Sequence, residues 1–325
     1  MDHRAQSRRN GLCGYVVDRI THLRRDEAWL NERLADPGSR FIPVWRSRNL
    51  IAGDPDPAAV LLTRTQAMEL LVTTEVVVLL GEDEGTAYFA AGVGARDTGL
   101  QERLSTLGEF RDLRDTAPLL PAREAALLAH ARAMMFWHQT HRYCGSCGSL
   151  TEVVEAGHSR RCTAERCNRS IYPRTDPAII VAVSRGEHLL LGRKPEWPPG
   201  RFSTIAGFVE PGETLEEAVA REVKEETGVV CAGITYHSSQ PWPFPSSIML
   251  GFHAEAASEA ITVDTTELDD ARWFTREQMV EGLLAGTFLL PRSLSVSFRL
   301  IEDWFDAQRP PGMPTLRELG AGRTW

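Results

Sequence analysis

Short apolar runs predict strands at 41–51 (FIPVWRSRNLI), 74–80 (TEVVVLL), 86–93, 178–184 (AIIVAVS) and 188–192 (HLLLG). Glu82-Asp83-Glu84-Gly85 and Arg185-Gly186-Glu187 supply turns between neighbouring strands, so both pairs read as hairpins. A helical run covers 122–141, and 108–121 reads as a connecting segment. The pattern changes between 207 and 229, GFVEPGETLEEAVAREVKEETGV. A turn rich in Gly and Pro (Gly207, Pro211, Gly212) opens it, Thr214 with Glu217 forms an N-cap signal, and Gly228 marks the stop. In the helix between them Leu215, Val219, Glu222 and Glu226 share one line, with Ala218 and Glu225 just beside it. The inward stripe begins apolar and continues as carboxylate.

A run of glutamates is usually a solvated helix face. Glu217 fits that reading, standing four residues before Arg221 where the two are expected to pair across a turn. Glu222 and Glu226 do not, because a carboxylate on a buried stripe is costly unless it is paired or binds a metal. Hard oxygen ligands beside a Gly/Pro turn suit Mg²⁺ or Mn²⁺, and those cations suit phosphate substrates.

Composition narrows the class. The 325 residues suffice for two domains and a sizeable core, and 42% hydrophobic with 25% charged residues is the balance of an ordinary globular protein. A net charge of −8 argues against broad attraction to nucleic acid. The first 25 residues carry basic side chains without the apolar run of a secretory signal, and no stretch is long and apolar enough to span a membrane. The expected compartment is the cytoplasm.

Cys144 and Cys147 form a knuckle with glycine for its tight turn, and after fourteen intervening residues Cys162 and Cys167 form a second pair. Four cysteines in this order point to one tetrahedral Zn²⁺ per chain, structural because no coordination position stays open. Disulfides are the competing explanation, weakened by the missing secretion signal. Arg160, Arg161, Arg166, Arg169 and Arg174 make the module locally basic, either as a phosphate-binding patch or as a solvated rim. Cys13, Cys231, His130, His138 and His141 show no ligand spacing and are expected to be packing or surface residues.

The span 239–247, SQPWPFPSS, holds three prolines and is expected to be a rigid loop rather than a strand. Trp242, Phe244 and Gln240 on a stiff backbone either pack the core or receive a planar base.

Gly207, Glu213, Arg221-Glu222, Glu225-Glu226 and Gly228 together resemble the full Nudix box, with every spacing intact. With the cysteine ribbon, Tyr172-Pro173-Arg174 and SQPWPFPSS, the chain from about 143 to 274 resembles the NADH pyrophosphatase branch of the Nudix hydrolases. The resemblance implies an α/β (α+β) architecture: a Nudix α/β/α sandwich with a mixed sheet, preceded by a zinc ribbon and a smaller α/β N-terminal domain. The expected boundaries are 1–121, a linking helix 122–143, the ribbon 144–173, the Nudix domain 174–308 and a tail 309–325. The first 121 residues carry no catalytic constellation and read as a scaffold or dimerisation domain.

For activity, the resemblance implies cleavage of the diphosphate of NADH or NAD⁺ to nicotinamide mononucleotide and AMP, and removal of NAD caps from RNA 5′ ends. It assigns two or more Mg²⁺ or Mn²⁺ ions to Glu222, Glu225, Glu226, Glu267 and the carbonyl of Ala206, with Glu226 orienting or deprotonating the attacking water. Tyr172 and Phe208 match rings that sandwich the nicotinamide, and Gln240, Pro241, Trp242, Pro243, Phe244, Pro245, Ser246 and Ser247 match a substrate loop. Ser297 stands where relatives commonly carry alanine against the substrate. A homodimer with shared sites is implied, with Tyr172 offered to the partner's site. Two alternatives stay open: a Nudix hydrolase of another nucleoside diphosphate derivative such as ADP-ribose, and a non-catalytic zinc-ribbon regulator that binds nucleotide or RNA.

Overall fold

A computed structural model describes residues 2–15, 17–94 and 96–320. The chain divides into two compact units, one of residues 12–175 with 242–246, the other of residues 2–11, 176–241 and 247–320.

Helix α1 (His3–Arg8) belongs to the second unit, and the first unit contains α2 (Glu27–Ala35). The first unit's sheet comprises β1 (Arg40–Trp45), β2 (Arg48–Ala52), β3 (Ala58–Ala59), β4 (Val77–Asp83), β5 (Thr86–Gly92) and β6 (Glu109–Arg111). The run 41–51 is two strands, not one, because Arg46 and Ser47 adopt positive φ of 49° and 59° in a two-residue hairpin turn. The order is β3-β2-β1-β5-β4, with β1 and β5 parallel and β6 added to β2. The segment 108–121 is thus more than a connection: it supplies β6 and helix α5 (Leu113–Thr116).

Side chains alternate across β1. Phe41 joins a core with Leu50, Leu79 and Phe89 under α2, α3 (Met68–Thr73) and α4 (Thr98–Leu104). The other face, with buried Ile42 and Val44, meets the long helix α6 (Ala122–Thr140). A three-stranded ribbon follows, β7 (Thr151–Val154), β8 (Ser159–Cys162) and β9 (Ser170–Ile171).

In the second unit the strands are β10 (Asp176–Arg185), β11 (His188–Arg193), β12 (Ile205–Phe208), β13 (Cys231–Trp242), β14 (Ser247–Ala256) and β15 (Asp270–Phe274). They run β13-β14-β10-β11-β15, with β12 on β10 and β10 parallel to β14. Ile179, Val181 and Val183 face helix α7 (Leu215–Thr227) through Ala218, Val219 and Val223. Ile180 and Ala182 face α8 (Arg276–Ala285), α9 (Val296–Ala307) and α10 (Leu316–Gly320). This is the expected α/β/α sandwich with a mixed sheet.

Three further local outcomes differ from the sequence reading. Residues 239–242 end a strand rather than lying in a loop; β13 is the edge of its sheet, where Pro241 forfeits no partner by lacking an N–H. Beyond the prolines at 310, 311 and 314, Leu316 and Leu319 are buried in the Nudix core, so 309–320 belongs to that domain, whereas 321–325 lies outside the described residues. Residues 2–11 also join the second unit instead of the N-terminal domain. Arg9 pairs with Asp303, Asn10 Nδ2 donates to Ser238 Oγ at 3.0 Å, and Gly11 lies against Leu294 so closely that a Cβ would stand 2.5 Å from its Cδ1. Among the described residues no helix is long and apolar enough to cross a membrane.

Candidate active site

The stop and start signals of α7 form as spaced. Thr214 and Glu217 make a reciprocal capping box, and Gly228 ends the helix at φ 71°. Glu217 is therefore spent on the Thr214 N–H and does not pair with Arg221. Arg221 instead grips Glu213 with two nitrogens, at 2.6 and 3.0 Å, and donates to Glu222 at 2.9 Å, Glu225 at 3.0 Å and the Phe208 carbonyl at 3.0 Å. Glu213 also accepts from the Glu210 N–H, which closes the Gly/Pro turn onto the helix, and its bonds to Arg221 hold its pKa down at about 2.

Glu222 and Glu226 are buried at 9% and 4% exposure, while Glu225 is exposed. Glycine at 207 is what admits Glu222 to the sheet: a Cβ there would lie 1.9–2.3 Å from its carboxylate atoms. Ala206, the preceding residue on β12, pairs with Ile180. Burial raises the pKa of Glu222, and it pushes Glu226 to about 8; Lys194 counteracts this, while Glu222, Glu267 and Asp264 reinforce it. The segment carrying Glu267 is fastened to the end of α7 by the Asp264 N–H on the Glu226 carbonyl, 3.0 Å, and by Leu268 in the core. No hydrogen-bond donor among the described residues reaches the Glu226 carboxylate. Hard oxygens gathered at a buried, under-neutralised helix face fit a divalent cation. They do not form as tight a group as the cysteines do, whose sulfurs all lie within 4.8 Å of one another.

Cys144 and Cys167 sulfurs are 3.8 Å apart and those of Cys147 and Cys162 are 3.4 Å apart. Four thiolates at about 2.3 Å from a zinc ion have tetrahedral edges of about 3.8 Å, so the quartet fits structural Zn²⁺. Backbone N–H groups of Ser146 and Cys147 turn toward the Cys144 sulfur and that of Arg169 toward Cys167. The knuckles are closed by Gly148 at φ 75° and by Asn168 at φ 42°, asparagine being the residue that best tolerates this conformation after glycine. The basic cluster does not form one patch: Arg160 is buried on Thr151 and His138, and Arg161 pairs with Glu152. His138 is buried, donating to or accepting from its neighbours, and His130 packs with Tyr15, as expected of packing residues.

The remaining residues separate by exposure. Tyr172 and Phe208 present their rings to solvent at 58% and 60% exposure, available for stacking. Pro241 and Pro245 are exposed, Trp242, Ser246 and Ser247 are half-buried, and Pro243 and Phe244 are buried. Gln240 is fully buried and its amide is consumed by the chain: Nε2 donates to the Gly11 and Leu294 carbonyls, and Oε1 accepts from the Val296 N–H. Ser297 is also buried, its hydroxyl bonded to those of Ser203 and Thr204, both at 2.8 Å. The structure thus puts both polar residues into scaffolding and leaves the Tyr172 and Phe208 rings facing outward.

Sequence reasoning missed Lys194, whose charge acts on Glu226, and Arg114 and Arg132, which touch Phe244. Arg132 had a signal, since it shares a helical face with Leu128 and Met135 and stands there as the one cation on an apolar stripe.

A mixed-sheet α/β/α domain with a carboxylate-bearing helix behind a Gly/Pro turn, joined to a four-cysteine ribbon, defines a Nudix protein with a zinc module. Three family models match in succession: an NADH pyrophosphatase-like rudimentary NUDIX domain at 38–137, an NADH pyrophosphatase zinc ribbon domain at 139–172 and a NUDIX domain at 173–290. The NAD-capped RNA hydrolase NUDT12 of Pongo abelii is 43% identical over 340 residues, spanning 89% of this chain and 72% of that one. The chain belongs to this NADH pyrophosphatase family of Nudix hydrolases. The human NUDT12 matches at 44% over 196 residues, 57% of this chain and 42% of that protein, so the chain spans about two fifths of it; NudC of Stutzerimonas stutzeri matches at 46% over 176 residues, 54% and 60% respectively. The N-terminal domain, read above as a scaffold, is itself Nudix-like.

Proposed function

We propose that the protein hydrolyses the diphosphate of NADH or NAD⁺ to nicotinamide mononucleotide and AMP, and removes NAD caps from RNA 5′ ends. The observation that carries this reading is the buried pair Glu222 and Glu226 beside Gly207, a cation-binding face built where an apolar stripe would otherwise continue. That the relatives are NAD-capped RNA hydrolases supports the choice of substrate.

Glu222, Glu225, Glu226, Glu267 and the Ala206 carbonyl would hold the catalytic cations, Mg²⁺ or Mn²⁺, two or more per site. Such cations lower the pKa of water and neutralise phosphoryl oxygens. Glu226 carries a proton up to about pH 8 while no cation is bound, so it must release that proton before serving as ligand or base. Its carboxylate then orients the attacking water and takes its proton. Arg221 aligns the Glu222 and Glu225 carboxylates by hydrogen bonds, and Glu213 fixes Arg221. Phe208 and Tyr172 stack on the nicotinamide, and Trp242 offers a further ring to a planar base. A homodimer in which Tyr172 serves the partner's site accords with its exposure in one chain. Thiols kept for a metal suit a reducing compartment, the cytoplasm.

Chromatography of NADH, ADP-ribose and NAD-capped RNA after incubation with enzyme and Mn²⁺ tests the reading. Nicotinamide mononucleotide and AMP from NADH, and a 5′-monophosphate RNA from the capped transcript, are expected. Turnover of ADP-ribose alone makes the protein a hydrolase of a different nucleotide; intact substrates in all three leave only a binding role.

A further inference from the structure

The segment 242–246 lies in the second unit's sequence but groups with the N-terminal Nudix-like unit. The reason is visible at Phe244, whose ring is buried at 8% exposure. Two guanidinium groups lie over that ring, Arg114 at 4.6 Å and Arg132 at 4.8 Å from its centroid. Both also hold the backbone. Arg132 Nε donates to the Pro243 carbonyl at 2.8 Å and Arg114 Nη2 to the Phe244 carbonyl at 3.4 Å. The Phe244 N–H returns to the Trp242 carbonyl at 2.7 Å, and the Trp242 ring meets Phe244 edge-on at 5.0 Å and 76°. Arg114, Arg132, Phe244 and Trp242 therefore form one continuous stack, rooted in α5 and α6 and ending at a half-buried indole.

Arg132 is an expensive residue for this position. It is 8% exposed on a helix face otherwise built of Ala, Leu and Met, and no carboxylate among the described residues hydrogen-bonds it. Its Nη1 finds no acceptor among the described residues, and burial lowers its pKa below the usual guanidinium range. A buried cation of this kind is destabilising unless something replaces its water. The Phe244 face and the Pro243 carbonyl do so, and both belong to the loop.

We propose that Arg132 and Arg114 are positioning residues that clamp the 242–246 loop, through which the Nudix-like domain fixes the Trp242 ring for the substrate's base. This rests on the assignment of that loop to substrate binding made above. The clamp acts on binding, not on bond cleavage, since neither arginine belongs to the carboxylate cluster of α7.

The test uses the full-length protein as wild type, Arg132→Ala, Arg132→Lys, Arg114→Ala and Phe244→Leu, with Mn²⁺ present. The Arg132→Ala and Phe244→Leu proteins should raise KM for NADH by about tenfold with kcat held within about threefold. Arg132→Lys should restore little, because lysine keeps the charge but loses the plane and the Nε fork. Backbone amide exchange in peptides covering 240–248 should accelerate in the same variants, with peptides from β10 unchanged. Unchanged KM together with unchanged exchange in 240–248 overturns the clamp. Should Arg132→Ala lose its zinc or its cooperative melting, Phe244→Leu and Arg132→Lys decide by the same two readouts. Should wild type prove inert on NADH, the substrate reading falls on its own, and the exchange measurement upholds or overturns the clamp.

Discussion

Two sheets of this chain share an architecture and differ in what a helix sends toward them. β1 and β10 stand in the middle of their sheets, each beside a parallel neighbour, and each domain lays a helix across one face. In the Nudix domain the glycine facing the helix is Gly207, and a Cβ there would strike the Glu222 carboxylate at about 2 Å. In the N-terminal domain Gly92 looks toward α6, and a Cβ there would meet the Met135 sulfur at 3.4 Å and the Thr74 hydroxyl at 3.9 Å. A sheet-and-helix layer is thus indifferent to chemistry; in the proposed function, carboxylates on the inner helix face, with room made for them, confer it. The N-terminal domain fills that face with Ala125, Leu128 and Met135, Arg132 apart, and gains a core without carboxylates.

The largest expected break in this comparison is Glu226→Gln. Removing the proposed ligand and base should lower kcat for NADH by at least about a thousandfold with zinc content and melting preserved. Glu124→Gln in the N-terminal domain, where the carboxylate accepts from the Ala59 N–H, should leave kcat nearly unchanged. Comparable losses in steady-state kinetics from both would erase the distinction between the domains.

Next in size is the glycine pair itself. Gly207→Ala should displace Glu222 and reduce kcat by about a hundredfold, the scale of an ångström's misplacement at a reacting centre. Gly92→Ala should be kinetically silent, because 3.4 Å is ordinary contact. Retained activity in Gly207→Ala would mean that Glu222 does not need its seat on β12.

Trp242→Ala sharpens the comparison further by separating binding from chemistry. A base stacked on an aromatic ring is worth about 1–3 kcal/mol, so KM for NADH should rise about tenfold with kcat little changed. An unaltered KM would remove the indole from substrate recognition.

The smallest effect is a pH dependence confined to the Nudix helix. The unfolded chain releases the Glu226 proton near 4.5, whereas the folded, metal-free protein keeps it to about 8. A raised pKa favours folding below the unfolded value, and that contribution is lost as pH rises through the folded one. Melting temperature in chelator should therefore fall between pH 5 and 8 by a few degrees more for wild type than for Glu226→Gln, and Mn²⁺ should reverse the difference. Parallel melting curves for the two proteins in chelator would show that Glu226 is not held protonated.

Legibility in the sequence followed the range of the interactions. The capping box, the Gly228 stop, the carboxylate stripe and the cysteine knuckles are set within a few residues of one another and were readable. Glu217 was misassigned because cap and ion pair compete for the same carboxylate, and the cap offered two backbone bonds. The Phe244 clamp, the docking of residues 2–11 and the burial of Gln240 depend on partners more than a hundred residues away, or on carbonyls that no composition reveals. Pro241 suggested a loop because sequence does not say which strand lies at an edge.

That edge has a consequence of its own. The outermost strand of a sheet displays a ladder of unsatisfied amides on which a foreign strand can polymerise. Here the first residues of the chain occupy those rungs: His3 meets the His237 carbonyl, Ser7 accepts the Ser239 N–H, Asn10 donates to the Ser239 carbonyl, and Pro241 removes one rung outright. The N-terminal segment is in this sense a selvedge, sewing shut the border at which one chain would otherwise zip onto the next.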